Sequence, residues 1–206
     1  MTEAEWLACA DPLTMLKSLH RKKSRRKQRL FASACVRLVW DQVPPHWRRA
    51  VELNEGYADG AVGKDELRAA FKHAESTSSR WPDAAHAAWY ACDTTNSSHF
   101  TTRCAASAAA RLDENLPAQQ AALLRDLFHP FRRAGRINSA WLAYGDQSAL
   151  RLAQAIYDER AFDRLPILAD VLEEAGCTDA DLLDHLRGPG PHARGCWAVD
   201  LILGRE

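Results

Sequence analysis

The residues of this chain best suited to chemistry gather near its carboxyl end: His185, His192 and Cys196, flanked by Cys177 and Asp200. Cys177, His185, His192 and Cys196 offer the thiolate and imidazole donors that hold zinc tetrahedrally. However, seven, six and three residues separate them in turn, unlike the close Cys and His pairs of structural zinc knuckles. His192, Cys196 and Asp200 stand four apart and would share a face if all were helical, joining an imidazole, a thiol and a carboxylate. Pro189, Pro191 and Gly195 instead place His192 in a stiff loop, and no oxyanion-donor motif accompanies it. A thiol at a helix N-terminus does gain acidity, which keeps the thiol reading chemically sensible.

The better-supported reading of GPGPHARGCWAVDLILGRE is docking. The prolines restrict the lead-in, and Trp197, Val199, Leu201, Ile202 and Leu203 supply apolar area that a frayed tail would waste. His192 and Arg194 then answer carbonyls or carboxylates, for instance Glu173, Glu174 or Asp184, and Asp200, alone in an apolar run, calls for Arg194 or a cation from the basic amino-terminal 50 residues. No catalytic residue, metal ligand or cofactor is assigned on this reading.

Two other clusters stand out. RKKSRRKQR, residues 21–29, carries seven cations in nine positions: Arg21, Lys22, Lys23, Arg25, Arg26, Lys27 and Arg29. At the entrance of a helix it is suited to a polyanion or an acidic partner, although a solvated helix start is the commoner use of such a run. The stretch 129–147, HPFRRAGRINSAWLAYGDQ, reads as a long irregular connection, and Arg132, Arg133, Arg136, Trp141 and Tyr144 make it a candidate partner loop. Glycine-rich phosphate loops, HExxH and GxSxG are missing from the sequence.

The elements that must position these groups read as helices. Ala and Leu are abundant while β-branched alternation is scarce, so the expected class is all-α, an irregular orthogonal or HEAT-like multi-helix bundle. Asp11-Pro12 is a cap followed by a residue with preset φ, opening a helix on Leu13, Met15, Leu16 and Leu19. Leu30, Phe31, Ala34, Cys35, Leu38 and Val39 form a wide apolar face that Pro44-Pro45 ends. Further helices are expected around Trp47–Ala58, Leu67–Ala74, Pro82–Cys92, up to Leu112, Pro117–Phe128, Ser148–Tyr157, Leu165–Gly176, Thr178–Leu186 and Gly195–Leu203.

The chain of 206 residues, 47% hydrophobic and 26% charged, suffices for one helical domain over 1–206, or for two subdomains, 1–128 and 148–206, joined by an ordered loop 129–147. Net charge is zero but unevenly spread: basic over acidic residues number 11 to 4 over 1–50 and 4 to 9 over 161–206. No run approaches the length of a membrane span, the start is acidic, and the six cysteines follow no disulfide framework, so a cytoplasmic protein with reduced thiols is expected.

The blocks EAEWLACADPLTMLKSL, RKQRLFASACVRLVW, AVELNEGYADG and LAQAIYDERAFDRLPILADVLEEAGCTDADLLDHLRGPGPHARGCWAVDLILG resemble those of a large paralogous group of bacterial helical proteins. The resemblance implies a bacterial cytoplasmic helical module and carries over no catalytic residue, substrate or cofactor. The functional expectation is therefore a non-enzymatic module that binds another protein. Nucleic acid is the alternative partner, through residues 21–29, and a Cys/His or zinc-dependent enzyme at the carboxy-terminal corner is the remaining alternative; no membrane partner is expected.

Overall fold

The structure, a computed structural model, describes residues 1–19, 24–77, 82–95, 98–132 and 137–205. Arg21, Lys22, Lys23, Arg133 and Arg136 lie outside the described residues, as does Trp81. Among the described residues every regular element is helical, as the alanine- and leucine-rich periodicity requires: twelve α-helices, two short 3-10 turns and no strand. None of these helices is long and apolar enough to cross a membrane. The chain divides into two compact units, Met1–Arg125 and Asp126–Glu206.

The first unit holds α1 (Glu3–Ala8), α2 (Pro12–Ser18), α3 (Arg25–Arg37), α4 (Pro45–Ala58), α5 (Lys64–Thr77), α6 (Asp83–Cys92), α7 (Ser98–Ala110) and most of α8 (Leu116–Leu127). Its first helix was not apparent from apolar spacing. Thr2 accepts from the Glu5 amide while the Glu5 carboxylate accepts from the Thr2 amide, so a capping box starts a helix too short to show periodicity. α3 is the central element and packs on α4, α6 and α7. Leu30, Phe31, Cys35 and Val36 form its buried face, and Trp47 of α4 is fully enclosed, edge-on to Phe71 at 5.7 Å between ring centroids. The buried alanines of α6 and α7, among them Ala84, Ala88, Ala105 and Ala109, let those two helices lie against each other.

The second unit holds α9 (Ser139–Glu159), α10 (Leu165–Glu174), α11 (Ala180–Arg187) and α12 (Trp197–Leu203). Its core joins Ile156 and Tyr157 of α9, Leu165, Leu168 and Leu172 of α10, Leu182 and Leu186 of α11, and Val199 and Ile202 of α12. The stretch 129–147 is less irregular than its composition suggests. Asn138 caps the amide of Ala140 and starts α9 within it, and the helix breaks at Tyr144–Gln147, where Gly145, Asp146 and Gln147 all have positive φ. That interruption leaves too short an apolar period on its amino-terminal side to be read from sequence.

Candidate functional site

The four groups of most chemical interest converge within the second unit: Asp126 from the last turn of α8, His185 from α11, His192 from the loop 188–196, and Cys196 at the cap position of α12. Their donor atoms all lie within 4.8 Å of one another. Local sequence explains the placement of His185 and His192. Asp179 caps α11 by accepting from the Leu182 amide, which fixes the helix that carries His185. Gly190 has φ +83°, and a Cβ there would stand 3.0 Å from the His192 amide nitrogen, so only glycine turns the chain tightly enough to aim His192 inward.

Asp126 is the hub. Its side chain is 2% exposed, yet its oxygens are well supplied with donors. Oδ2 accepts from the Ala193 amide at 2.8 Å; Oδ1 accepts from His192 Nδ1 at 2.7 Å and faces His185 Nε2 at 3.2 Å. Burial alone would raise its pKa, but the hydrogen bonds and charge of His185 and His192 outweigh it and hold the carboxyl below its ordinary value.

The rings' protonation follows from what they face. His192 Nε2 points at the Gly188 carbonyl at 3.2 Å while Nδ1 points at a carboxylate, so both nitrogens face acceptors and the ring is an imidazolium. Burial opposes that charge, but Asp126 and the Gly188 carbonyl raise the pKa above its ordinary value. His185 is different. The Trp197 indole, a donor only, gives its Nε1–H to His185 Nδ1 at 3.1 Å, so a neutral His185 carries its proton on Nε2. That same Nε2 stands 3.2 Å from Asp126 Oδ1 and 3.2 Å from Cys196 Sγ.

Cys196 is 0% exposed. Burial, followed by the neighbouring Asp126 charge, pushes its thiol well above the ordinary value, against a smaller opposing pull from the amides of Val199 and Ala198. Trp197 beside it is enclosed by aromatic and cationic neighbours: His129 packs edge-on at 4.8 Å, and the Arg132 guanidinium lies 5.0 Å from the ring centroid.

Of the residues weighed from sequence, His185, His192 and Cys196 meet in this centre and two do not. Cys177 is absent from the cluster, and so is Asp200, which is buried on α12. The carboxylate is Asp126 instead, 66 residues from His192 and invisible in an apolar helix end. His192 therefore meets Asp126 rather than Glu173, Glu174 or Asp184, and the Arg194 guanidinium lies 4.8 Å from the centroid of the Tyr157 ring.

The other candidate residues are dispersed. Of the basic run, Arg25 is exposed, Arg26 bonds Asp59 at 2.8 Å, Lys27 is buried, and Arg29 bonds Asn54 at 3.0 Å and faces the Tyr57 ring at 5.0 Å. With Arg37, which grips Glu55 at 2.7 and 2.8 Å, Arg26 and Arg29 tie α3 to α4 and its capping residue Asp59. In the 129–147 stretch Arg132 forms a two-pronged ion pair with Asp179, Trp141 packs against the core, and Tyr144 remains 49% exposed. No family model, curated protein or solved structure matches the chain.

Proposed function

We propose that this chain is a non-enzymatic helical module that acts by binding another protein, and that the Asp126 centre holds the second unit in shape. One observation carries the structural assignment: His185 presents a single nitrogen, Nε2, to both Cys196 and Asp126, and its other nitrogen is occupied by the Trp197 indole. A thiol relay of the Cys-His-Asp kind needs one ring nitrogen for the thiol and the other for the carboxylate. Here the ring cannot accept a proton from sulfur while donating a different one to the acid. The buried thiol, held neutral, fits the same reading.

For the binding surface, the second unit offers the stretch that the sequence singled out. Phe131 and Tyr144 are 37% and 49% exposed; Arg132, next to Phe131, pairs with Asp179, and Asn138 caps the start of the helix that carries Tyr144. Aromatic side chains beside such fixed points present area at low entropic cost, a common character of binding anchors. A nucleic-acid partner is less supported, because Arg26, Lys27 and Arg29 are turned to neighbours on the first unit.

The test is quantitative co-purification from the native cell extract, comparing the tagged chain with a Phe131→Glu, Tyr144→Glu variant whose melting temperature is unchanged. The expected outcome is loss of a protein that the unaltered chain retains at stoichiometric level. An identical set of retained proteins overturns this surface, and retention only of nucleic acid that declines steeply with salt overturns the choice of partner.

A further inference from the structure

We infer that Asp126 Oδ1, His185 Nε2, His192 Nδ1 and Cys196 Sγ form a closed structural site for one zinc(II) ion. The inference goes beyond the binding proposal and does not depend on it.

Geometry is the first argument. Metal–ligand bonds of about 2.0 to 2.3 Å in a tetrahedron put ligand atoms roughly 3.3 to 3.8 Å apart. His185 Nε2 is 3.2 Å from both Asp126 Oδ1 and Cys196 Sγ, close to that edge, and no pair of the four exceeds 4.8 Å. The Asp126–His192 contact of 2.7 Å must open by about half an ångström, a small side-chain adjustment.

The second argument is the surrounding shell. Ligand imidazoles commonly give their remaining N–H to a carbonyl or carboxylate, and ligand carboxylates are themselves hydrogen-bonded. His192 Nε2 already faces the Gly188 carbonyl, and Asp126 Oδ2 already accepts from the Ala193 amide. These contacts aim Nδ1 and Oδ1 at the common centre.

The donor set is the third. Binding needs a deprotonated Cys196 sulfur, its proton passing to solvent, and a free lone pair on both His185 Nε2 and His192 Nδ1, so a ring bound through Nε2 carries its proton on Nδ1 and nothing is oxidised or reduced. One thiolate, two imidazoles and one carboxylate suit zinc far better than magnesium or calcium, which prefer oxygen.

The cost falls on Trp197. Once His185 Nδ1 carries the proton it confronts the indole N–H, so the 3.1 Å hydrogen bond must break as the ion enters. Metal loading is therefore coupled to the first residue of the carboxy-terminal helix.

The experiment uses the full chain, freed of metal by a chelator, titrated with cobalt(II) and then zinc(II). A single cobalt per chain is expected, with thiolate charge-transfer absorption and the visible bands of a tetrahedral ion, displaced by one equivalent of zinc. Cys196→Ser should abolish the charge-transfer band and weaken zinc at least tenfold, whereas Cys177→Ser should leave both unchanged. Trp197→Phe, which removes the competing donor, should bind zinc severalfold more tightly. If Cys196→Ser does not fold, His192→Gln serves, with the same tenfold loss expected. Failure of the helical, metal-free chain to take up either ion overturns the inference, as does a thiolate band that survives in folded Cys196→Ser.

Discussion

At the residue scale the account turns on Asp126, a buried carboxylate that receives a backbone amide and an imidazolium and faces a second imidazole. Removing one partner of such a pair leaves a buried charge uncompensated, a loss of about 3 to 5 kcal/mol in comparable cases. Asp126→Asn keeps the shape but removes the charge opposite His192, so a cost of about 3 kcal/mol is expected in urea unfolding of the metal-free chain. A change under 1 kcal/mol would mean that the centre does little to hold the unit together. The nearness of His192 and Cys196 was legible because Pro189, Pro191 and Gly195 mark a stiff loop, although the sequence read that loop as docking rather than as a site. Asp126 was not, because nothing in LLRDLF distinguishes an inward carboxylate from a solvated one, and only the folded chain brings position 126 to position 192. Cys177 and Asp200 were drawn in for the converse reason: nearness in sequence is a weak guide to which side chains meet.

At the element scale, α12 shows how a short apolar helix is fastened. Trp197, Val199 and Ile202 are buried in the core of the second unit, as the docking reading of the carboxyl end requires. Ile202→Ala should cost about 2 to 5 kcal/mol, the range for deleting a large aliphatic side chain from a packed core, measured by urea unfolding. The cap of α11 gives a pH dependence. Arg132 beside Asp179 holds its carboxyl below the ordinary value against the opposing effect of burial, and the Leu182 amide adds to the lowering. The folded pKa being lowered, the stabilisation is complete above the ordinary carboxylate pKa of about 3.9 and is lost as pH falls through the lower folded value. Asp179→Asn retains a capping oxygen but loses the charge, so the unaltered chain should exceed it by about 1 kcal/mol at pH 7, with the difference vanishing near pH 2. A difference that persists at low pH would place the effect in the cap's shape instead. Helices with long apolar periods, such as α3 and α4, were plain from sequence. α1 and the beginning of α9 were not, because one rests on a capping box and the other is cut short at Gly145–Gln147.

At the scale of the whole molecule, the chain carries two compact units, divided after Arg125. The all-α class followed from composition and periodicity, since helices with apolar stripes have only one another to pack on. The position of the division did not follow, because α8 runs through it without a linker composition to mark it. A substitution in the core of one compact unit should act within that unit. In hydrogen exchange Ile202→Ala is expected to lower protection of α9 to α12 while amides of α3 and α4 exchange as before. Equal loss of protection in both units would show that they open as one.

The central claim, that the Asp126 centre is structural, is tested most directly at Cys196. Native protein is treated with excess iodoacetamide, and the labelling rate of each cysteine is followed by mass spectrometry, with the partly exposed Cys9 as the internal reference. The account expects Cys196 to react far more slowly than Cys9, at a rate that rises with urea and with Asp126→Asn, because sulfur is reached only when the second unit opens. Rapid labelling of Cys196 in the native chain, independent of urea, would contradict it and show an activated thiol.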